Sequence, residues 1–173
     1  MKILEIRRHS VRSQPGDHLN QTGITLARQV GQSMGPFERV ITSTLPRAFE
    51  TAIAMGFAVS EQNELLSSYG NAVDKEAPWP LPFSAYAEVI KNGGAAAKYS
   101  KKLSKYYAGV MEVISNGRSA LVINHGGVVE LGVVGCLPDF DYSAWGEPVN
   151  YCEGARLYWD VKFIRAEILR VNQ

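Results

Sequence analysis

The sequence has few cysteines and no long apolar run. Its two cysteines, Cys136 and Cys152, lie far apart in the 173 residues, which argues against both a disulfide framework and a cysteine-rich zinc site. No apolar stretch approaches about 18 residues, the length that a membrane span needs. The opening run at residues 2–6 is short and contains a glutamate. We therefore expect no signal peptide, no membrane span and a cytoplasmic location.

An excess of charge of one sign is also missing. The 18 Lys and Arg residues are balanced by 17 Asp and Glu residues, which gives a net charge of +1. Without a strong field, nucleic acid and acidic membrane surfaces are not expected partners. The length fits one domain over residues 1–173, and the 46% hydrophobic content is enough to fill its core. No pattern in the sequence indicates the oligomeric state.

Three short apolar segments predict strands, and each is followed by polar residues. The segments are residues 2–6, 40–42 and 120–123, and the polar residues include His9, Ser43 and His125. In open α/β sheets, ligands bind outside the carboxyl ends of the strands. The three side chains are therefore expected to meet at one site.

The rest of the chain alternates helical and strand patterns. Helical spacing is found at residues 22–34, 46–55, 83–91, 98–115 and 128–135, and a late pair of strands at 155–161 and 165–171. Residues 61–82 contain three prolines and no clear period, which predicts a long loop or lid. The fold class predicted is a three-layer α/β/α sandwich with a mainly parallel central sheet and an antiparallel edge strand.

Four motifs in order resemble those of the histidine phosphatase superfamily, also called phosphoglycerate mutase-like. They are Arg8-His9, Leu19-x-x-x-Gly23, Ser43-x-x-x-Arg47-Ala48-x-x-Thr51-Ala52 and His125-Gly126-Gly127, and they cover about residues 1–135. The resemblance implies that His9 is the nucleophile that becomes phosphorylated. It implies that Arg8, Arg47 and His125 bind the phosphoryl group, and that a carboxylate after the second helix is the acid.

Elementary chemistry agrees with these roles. A phosphomonoester is a dianion, so its transfer depends on positioning and on fixed positive charge. Arginine offers paired donors to phosphate oxygens. A histidine nucleophile must be neutral, and nearby arginines lower its pKa. Neither a metal nor a cofactor is expected, because phosphohistidine chemistry needs none.

Several residues around the motifs have two readings. Ser43 is either a substrate-binding hydroxyl or a helix cap. Ser10 stands where the family usually has glycine, and it either crowds the phosphate or contributes a hydroxyl. Gly126 and Arg12 are expected near the substrate, with a solvated charge as the alternative for Arg12. Trp79 is expected either to form an apolar wall around the leaving group, together with Phe83, or to pack within its loop.

The acid is the least defined residue. Glu64, in Asn63-Glu64-Leu65, resembles the acid-bearing segment of the family, although the spacing to the next glycine is about two residues longer than usual. Asp74 and Glu76 are the alternatives.

The function expected is hydrolysis of a phosphomonoester or phosphohistidine through a covalent phosphohistidine at His9. The substrate is either a small phosphate ester or a phosphoprotein. One alternative is a phosphoglycerate mutase-type transferase, disfavoured by the short chain and by the residues at 11–15. The other is a catalytically weak module that only binds phosphate.

Overall fold

The apolar segments form the central strands of a six-stranded sheet in the computed structural model, which describes residues 1–172. The strands are β1 (Lys2–Arg8), β2 (Arg39–Thr42), β3 (Glu61–Gln62), β4 (Ser119–Asn124), β5 (Gly154–Asp160) and β6 (Lys162–Leu169). The helices are α1 (Gln21–Gly31), α2 (Pro46–Ala54), α3 (Gly70–Glu76), α4 (Phe83–Lys91), α5 (Ala95–Val113) and α6 (Val128–Cys136).

The strand order is β3-β2-β4-β1-β5-β6. Strands β1 to β4 pair in parallel, whereas β5 pairs antiparallel with both β1 and β6. The mainly parallel sheet with antiparallel strands at one edge confirms the predicted fold class. Because β2, β4 and β1 are neighbours and parallel, their carboxyl ends lie side by side.

The sheet is covered by helices on both faces. Alternate residues of β4 point to opposite faces: Val122 packs in the core formed with α3 to α6, and Ile123 packs in the smaller core formed with α1 and α2. Strands buried on both faces explain the continuous apolar runs of the sequence. The three-layer sandwich follows from this burial.

The segment at residues 61–82 differs from the expected loop. It contains β3, a 3-10 turn at Glu64–Leu66 and the whole of α3. These elements have only two, three and seven residues, too few for a hydrophobic period to be visible. The expectation of an irregular lid is therefore wrong, and this segment forms a structured side of the cleft described below. Within residues 1–172, no helix has the length and apolar character needed to span a bilayer.

Candidate active site

His9 follows β1 directly and is buried, with 5% of its surface exposed. Its Nδ1 lies 2.7 Å from the backbone carbonyl of Ser10, and a carbonyl only accepts, so Nδ1 carries the ring proton. Nε2 therefore holds a lone pair, and it accepts a hydrogen bond from Arg47 Nε at 3.2 Å. The backbone thus fixes both the tautomer and the direction of the ring.

Arg8 is held between two aromatic rings. Its guanidinium carbon lies 4.2 Å from the ring centre of Tyr151 and 5.0 Å from that of Trp79. One terminal nitrogen donates to the carbonyl of Val149 at 3.2 Å, while Nε is buried and has no partner among residues 1–172. These contacts hold the guanidinium beside the two rings, and its unpaired Nε leaves donor capacity for an anion.

Arg47 lies in the first turn of α2 and is more exposed than Arg8. Besides its bond to His9, it forms an ion pair with Asp17, with NH1 2.7 Å from Oδ1. Pro46 begins the helix and has no N–H to satisfy, which suits the first helical position. Arg47 is therefore presented by a helix N-terminus that itself favours anions.

His125 follows β4 and faces His9, with 5.1 Å between the ring centres. Its Nε2 lies 2.7 Å from the Ser43 hydroxyl, and its Nδ1 is buried and has no partner in the described part of the chain. Ser43 follows β2, is fully buried, and also accepts the N–H of Leu45 at 3.3 Å. The three strand ends thus converge as predicted, but Ser43 contacts His125 and not the cleft.

Ser10 is also fully buried. Its hydroxyl donates to the carbonyl of Gly23 in α1 at 2.7 Å, and its N–H donates to Thr51 Oγ1 in α2 at 2.9 Å. Ser10 therefore joins the end of β1 to α1 through its hydroxyl and to α2 through its backbone N–H. A substrate contact of Ser10 or Ser43 stays a prediction, and the burial and internal hydrogen bonds of both hydroxyls favour a structural role for them.

Both histidines are neutral over the physiological range. Burial, together with the charges of Arg8 and Arg47, lowers the pKa of His9 to about 3. Burial, together with His9 and Arg47, lowers the pKa of His125 to about 2. Low dielectric and neighbouring cations both disfavour an imidazolium. The site therefore holds its positive charge on guanidinium groups and keeps an imidazole nitrogen with a free lone pair.

A cleft of about 280 Å³ opens beside Arg47 and His125. Gly126 lines it, and a Cβ at this position would come within 2.5 Å of the Trp79 ring. Glycine is therefore what allows Trp79 to cover the turn after β4. Phe83, in contrast, is fully buried against Tyr142 and Trp145, so it belongs to the core and the expectation that it walls the leaving group is corrected.

The opposite side of the cleft is formed by residues 67–74 and is mostly polar. Asp74 lines it and accepts a hydrogen bond from the Tyr69 hydroxyl at 3.3 Å. Glu64 is exposed, accepts a hydrogen bond from the Thr44 hydroxyl, and is not among the residues that line this cleft. Glu76 instead accepts the N–H groups of Ala95 and Ala96 at the start of α5. Of the three carboxylates considered, Asp74 faces the cleft.

Arg12 lies close enough for its charge to lower the pKa of His9, His125 and Arg47. It also donates to the carbonyl of Gly16 at 2.5 Å. Its role in substrate binding stays a prediction. No group of three or more His, Cys, Asp or Glu side chains suited to a metal ion occurs among residues 1–172.

Sequence reasoning missed Tyr151 and Glu130. Tyr151 lies in an irregular loop and contacts both Arg8 and His9, with 5.8 Å between the His9 and Tyr151 ring centres; nothing in the local sequence signals it. Glu130 is fully buried in the first turn of α6. A signal for it did exist, since it is the one charged residue in the apolar segment VVELGVVGC.

Comparison with known proteins gives matches in structure only. No protein-family model matches the sequence, and no curated protein is significantly similar to it. A phosphoserine phosphatase from Entamoeba histolytica, solved with 3-phosphoglyceric acid, superposes with a TM-score of 0.69 at 16% identity, covering 99% of this chain and 98% of that chain. A mycobacterial glucosyl-3-phosphoglycerate phosphatase in complex with VO3 also gives 0.69 at 16% identity, covering 99% and 100%. A structure described as mycobacterial hydrolase 1 gives 0.64 at 20% identity, covering 100% and 99%.

Proposed function

Since the chain has the fold of the histidine phosphatase superfamily, we propose that it is a phosphatase that hydrolyses small phosphate monoesters through a covalent intermediate at His9. The observation that carries this proposal is that a neutral histidine, Arg8 and a second histidine meet at adjacent strand ends, where Arg47 reaches the first histidine from the start of α2. Neither a purely structural histidine nor a surface anion site requires this combination. The structural neighbours that are named phosphatases support the same reaction class.

Binding of the phosphoryl group depends on donors that the protein has already oriented. The guanidinium of Arg8, flat between two rings, and that of Arg47 would donate to the phosphoryl oxygens. Two buried nitrogens without a partner among the described residues, Arg8 Nε and His125 Nδ1, would donate to the same oxygens. For His125 this requires the tautomer in which Nε2 accepts the hydroxyl proton of Ser43. Once Arg47 donates to phosphate, the lone pair of His9 Nε2 is released to attack.

The reaction then proceeds in two displacements. His9 Nε2 forms a bond to phosphorus while the bond from phosphorus to the ester oxygen breaks, and an acid gives that oxygen its proton. Water next attacks the phosphohistidine, the bond from phosphorus to nitrogen breaks, and the carboxylate takes the proton of the water. Phosphate and a neutral His9 are regenerated. The Ser10 carbonyl accepts the Nδ1–H throughout and stabilises the charge that develops on the ring.

The geometry favours Asp74 as the acid, because it lines the cleft beside His125 while Glu64 does not. The Tyr69 hydroxyl, which donates to Asp74 Oδ1, would hold the other oxygen toward the leaving group. Glu64 stays the alternative, since it lies at the start of the 3-10 turn and is bonded to Thr44, in the loop between Ser43 and Arg47.

The lining of the cleft supports a small, polar leaving group. Ser67, Ser68 and Asn71 join Asp74 on the side opposite Arg47. A volume of about 280 Å³ is at the low end for small-molecule sites. A hydroxylated or amino-bearing alcohol fits this lining better than an apolar one.

The test is phosphate release from a panel of small phosphomonoesters with polar and apolar alcohols, together with a phosphohistidine peptide. We expect release by the wild type on small polar esters and none by His9→Ala, while His18→Ala keeps the activity. His18 is the matched control because it is exposed and paired with Glu50. Acid-labile radiolabel on the wild type but not on His9→Ala would identify the intermediate.

Three results would contradict the proposal. Equal release by the wild type and His9→Ala would exclude His9 as the nucleophile. Conversion of a phosphate ester to its isomer without free phosphate would indicate the transferase. Phosphate or vanadate binding without turnover of any panel member would indicate the binding module.

A further inference from the structure

Glu130 is a carboxylate enclosed in the protein beside the proposed active site. It is fully buried and lies three residues after Gly127, in the first turn of α6. One oxygen accepts the N–H of Gly127 at 2.7 Å, and the other accepts the N–H of Val149 at 3.1 Å. Both donors belong to backbone segments that carry groups of the site.

The first segment is the turn after β4. Residues 125–127 contain His125, Gly126 and Gly127, and the turn places Gly127 at a φ of +82°. This left-handed conformation favours glycine, and the bond from its N–H to Glu130 closes the turn onto α6. The direction of His125 therefore depends on a carboxylate that does not itself touch the cleft.

The second segment is the loop before β5. Val149 donates its N–H to Glu130, and its carbonyl, in the next peptide unit, accepts the Arg8 guanidinium at 3.2 Å. Tyr151, two residues further along the loop, contacts the same guanidinium with its ring. Glu130 thus fixes the residue whose carbonyl holds Arg8, and its charge lies near enough to favour the guanidinium cation.

Enclosing a carboxylate is costly unless its charge is matched. Burial raises the pKa of Glu130 to about 7, and the N–H groups of Val149 and Gly127 and the charge of Arg8 oppose that rise. Other titratable groups near it are Tyr86 on α4 and Tyr69 before α3. If this position only packed against apolar groups, leucine or valine would serve, as they do elsewhere in α6. Glutamate is explained by the two N–H groups it receives.

We propose that Glu130 is a positioning residue that joins the turn at residues 125–127 (the His125 turn) to the loop at residues 149–151 that contacts Arg8 (the Arg8 loop). It thereby sets the distance between the two sides of the proposed phosphoryl site. The inference rests on the proposed function for its kinetic readout. Phosphate binding, in contrast, reports on the geometry of the site even if the catalytic proposal fails.

Glu130→Gln is the informative variant because it keeps the shape. Above its pKa of about 7, where the assays are run, the ionised carboxylate accepts both N–H groups, whereas a glutamine has one acceptor oxygen and turns its NH₂ toward the other donor. We expect the Arg8 loop or the His125 turn to move. A displacement on the order of 1 Å costs about 100-fold in rate, so kcat/KM should fall by about 10- to 100-fold, and the inhibition constant for phosphate should rise by several-fold.

The matched control is Glu5→Gln. Glu5 is also a buried carboxylate, but it lies in β1 and pairs with Arg7 and Arg156. Both variants are checked for folding by near-ultraviolet circular dichroism and thermal unfolding, and phosphate affinity is measured by calorimetry beside kcat and KM. Glu5→Gln should lower the unfolding midpoint and leave phosphate affinity and kcat/KM within about twofold per folded molecule. A substitution away from the site changes the stability of the fold and not the geometry of the site.

A folded Glu130→Gln that binds phosphate and turns over like the wild type would overturn the inference. If Glu130→Gln does not fold, Glu130→Asp replaces it, because this variant keeps the charge and withdraws it by one methylene from both N–H groups. Wild-type phosphate affinity in Glu130→Asp would equally overturn the inference. If the wild type binds phosphate but turns over no substrate, the proposal of a phosphatase is contradicted. The inference about Glu130 is then tested by comparing the phosphate affinity of Glu130→Gln with that of the wild type.

Discussion

The phosphoryl side of the cleft rests on the ends of three adjacent strands, whereas the opposite side rests on the chain between Ser67 and Asp74. His9 and His125 are both less than 10% exposed, and each has a ring nitrogen bonded within the protein. Ser68, Asn71 and Asp74, on the other side, are exposed. One side is enclosed and fixed by a backbone carbonyl at His9 and a buried hydroxyl at His125, and the other is a short solvent-facing helix with its preceding turn.

The difference separates two tasks. Stabilising a transferring phosphoryl group requires charges and donors that do not reorganise, and under the proposed function the buried strand ends would supply them. Recognising the alcohol requires only contacts that fit one leaving group, and a surface segment can change those contacts without disturbing the core. Changes on the strand side should therefore reduce catalysis for every substrate, and changes on the opposite side should redistribute activity among substrates.

Arg8→Lys provides the strongest test of this division. Lysine cannot lie flat between Trp79 and Tyr151 or offer paired donors, so we expect kcat/KM to fall by about 1,000-fold on all substrates, near the upper end for one lost electrostatic donor. Arg47→Lys, at the more exposed arginine, should cost about 100-fold. Steady-state kinetics on three esters with different alcohols measures both. Losses that differ tenfold between esters would contradict the division.

Asp74→Asn and Glu64→Gln test the opposite side. If Asp74 protonates the leaving oxygen, Asp74→Asn should lower kcat by about 100-fold on an alkyl phosphate, in the usual range for a general acid. The loss should shrink to a few-fold on p-nitrophenyl phosphate, whose leaving group needs no proton. Glu64→Gln is the matched carboxylate control and should stay within about twofold. A large loss in Glu64→Gln with little in Asp74→Asn would instead assign the acid to Glu64.

The two sides also differ in how far the sequence predicts them. The strand ends are predictable because a buried parallel strand needs a continuous apolar run, so the first polar residues mark where it ends. His9, Ser43 and His125 are found in this way, and the strand order brings them together. The direction of a buried hydroxyl is not encoded in the run, so the sequence does not show that Ser10 and Ser43 bond to Gly23 and His125.

The opposite side is harder because its elements are too short to show a period. Helix α3 has seven residues, one buried apolar side chain and no side-chain cap at its start, so the local pattern is that of a loop. Tyr151 is placed by the pairing of β5 with β1, a contact between chain segments about 150 residues apart. Such a contact leaves no local signal.

Acidification should lower the free energy of unfolding, because the two histidines of the enclosed side are kept neutral by the fold. The pKa values of His9 and His125 are lower in the folded chain, about 3 and about 2, than in the unfolded chain, about 6.5. Below pH 6.5 the unfolded state binds more protons, so stability falls as the pH falls, by up to about 1.4 kcal/mol per pH unit for each histidine. Glu130 acts in the opposite sense between about pH 7 and pH 4.5, because its pKa is raised on folding.

Between pH 6.5 and 5 the two histidines outweigh Glu130 and leave a mean net slope of roughly 1 kcal/mol per pH unit. His125→Asn removes one histidine and should make the unfolding free energy nearly independent of pH in this window. Denaturant unfolding at four pH values measures the slope. An unchanged slope in His125→Asn would mean that its imidazole is not kept neutral by the fold.

Ser10→Ala gives the smallest effect and tests whether the residue after the nucleophile belongs to the scaffold or to the substrate. Alanine removes the hydroxyl that donates to the Gly23 carbonyl, so this buried carbonyl in α1 loses its side-chain donor and the end of β1 loses a bond to α1. We expect a loss of about 1–2 kcal/mol in the free energy of unfolding. The kcat/KM of the folded variant should stay within about twofold, because the Ser10 carbonyl that accepts the His9 proton is retained. Denaturant unfolding and steady-state kinetics measure the two quantities separately. A weaker affinity for phosphate with unchanged stability would show that the Ser10 hydroxyl contacts the substrate and does not stabilise the fold.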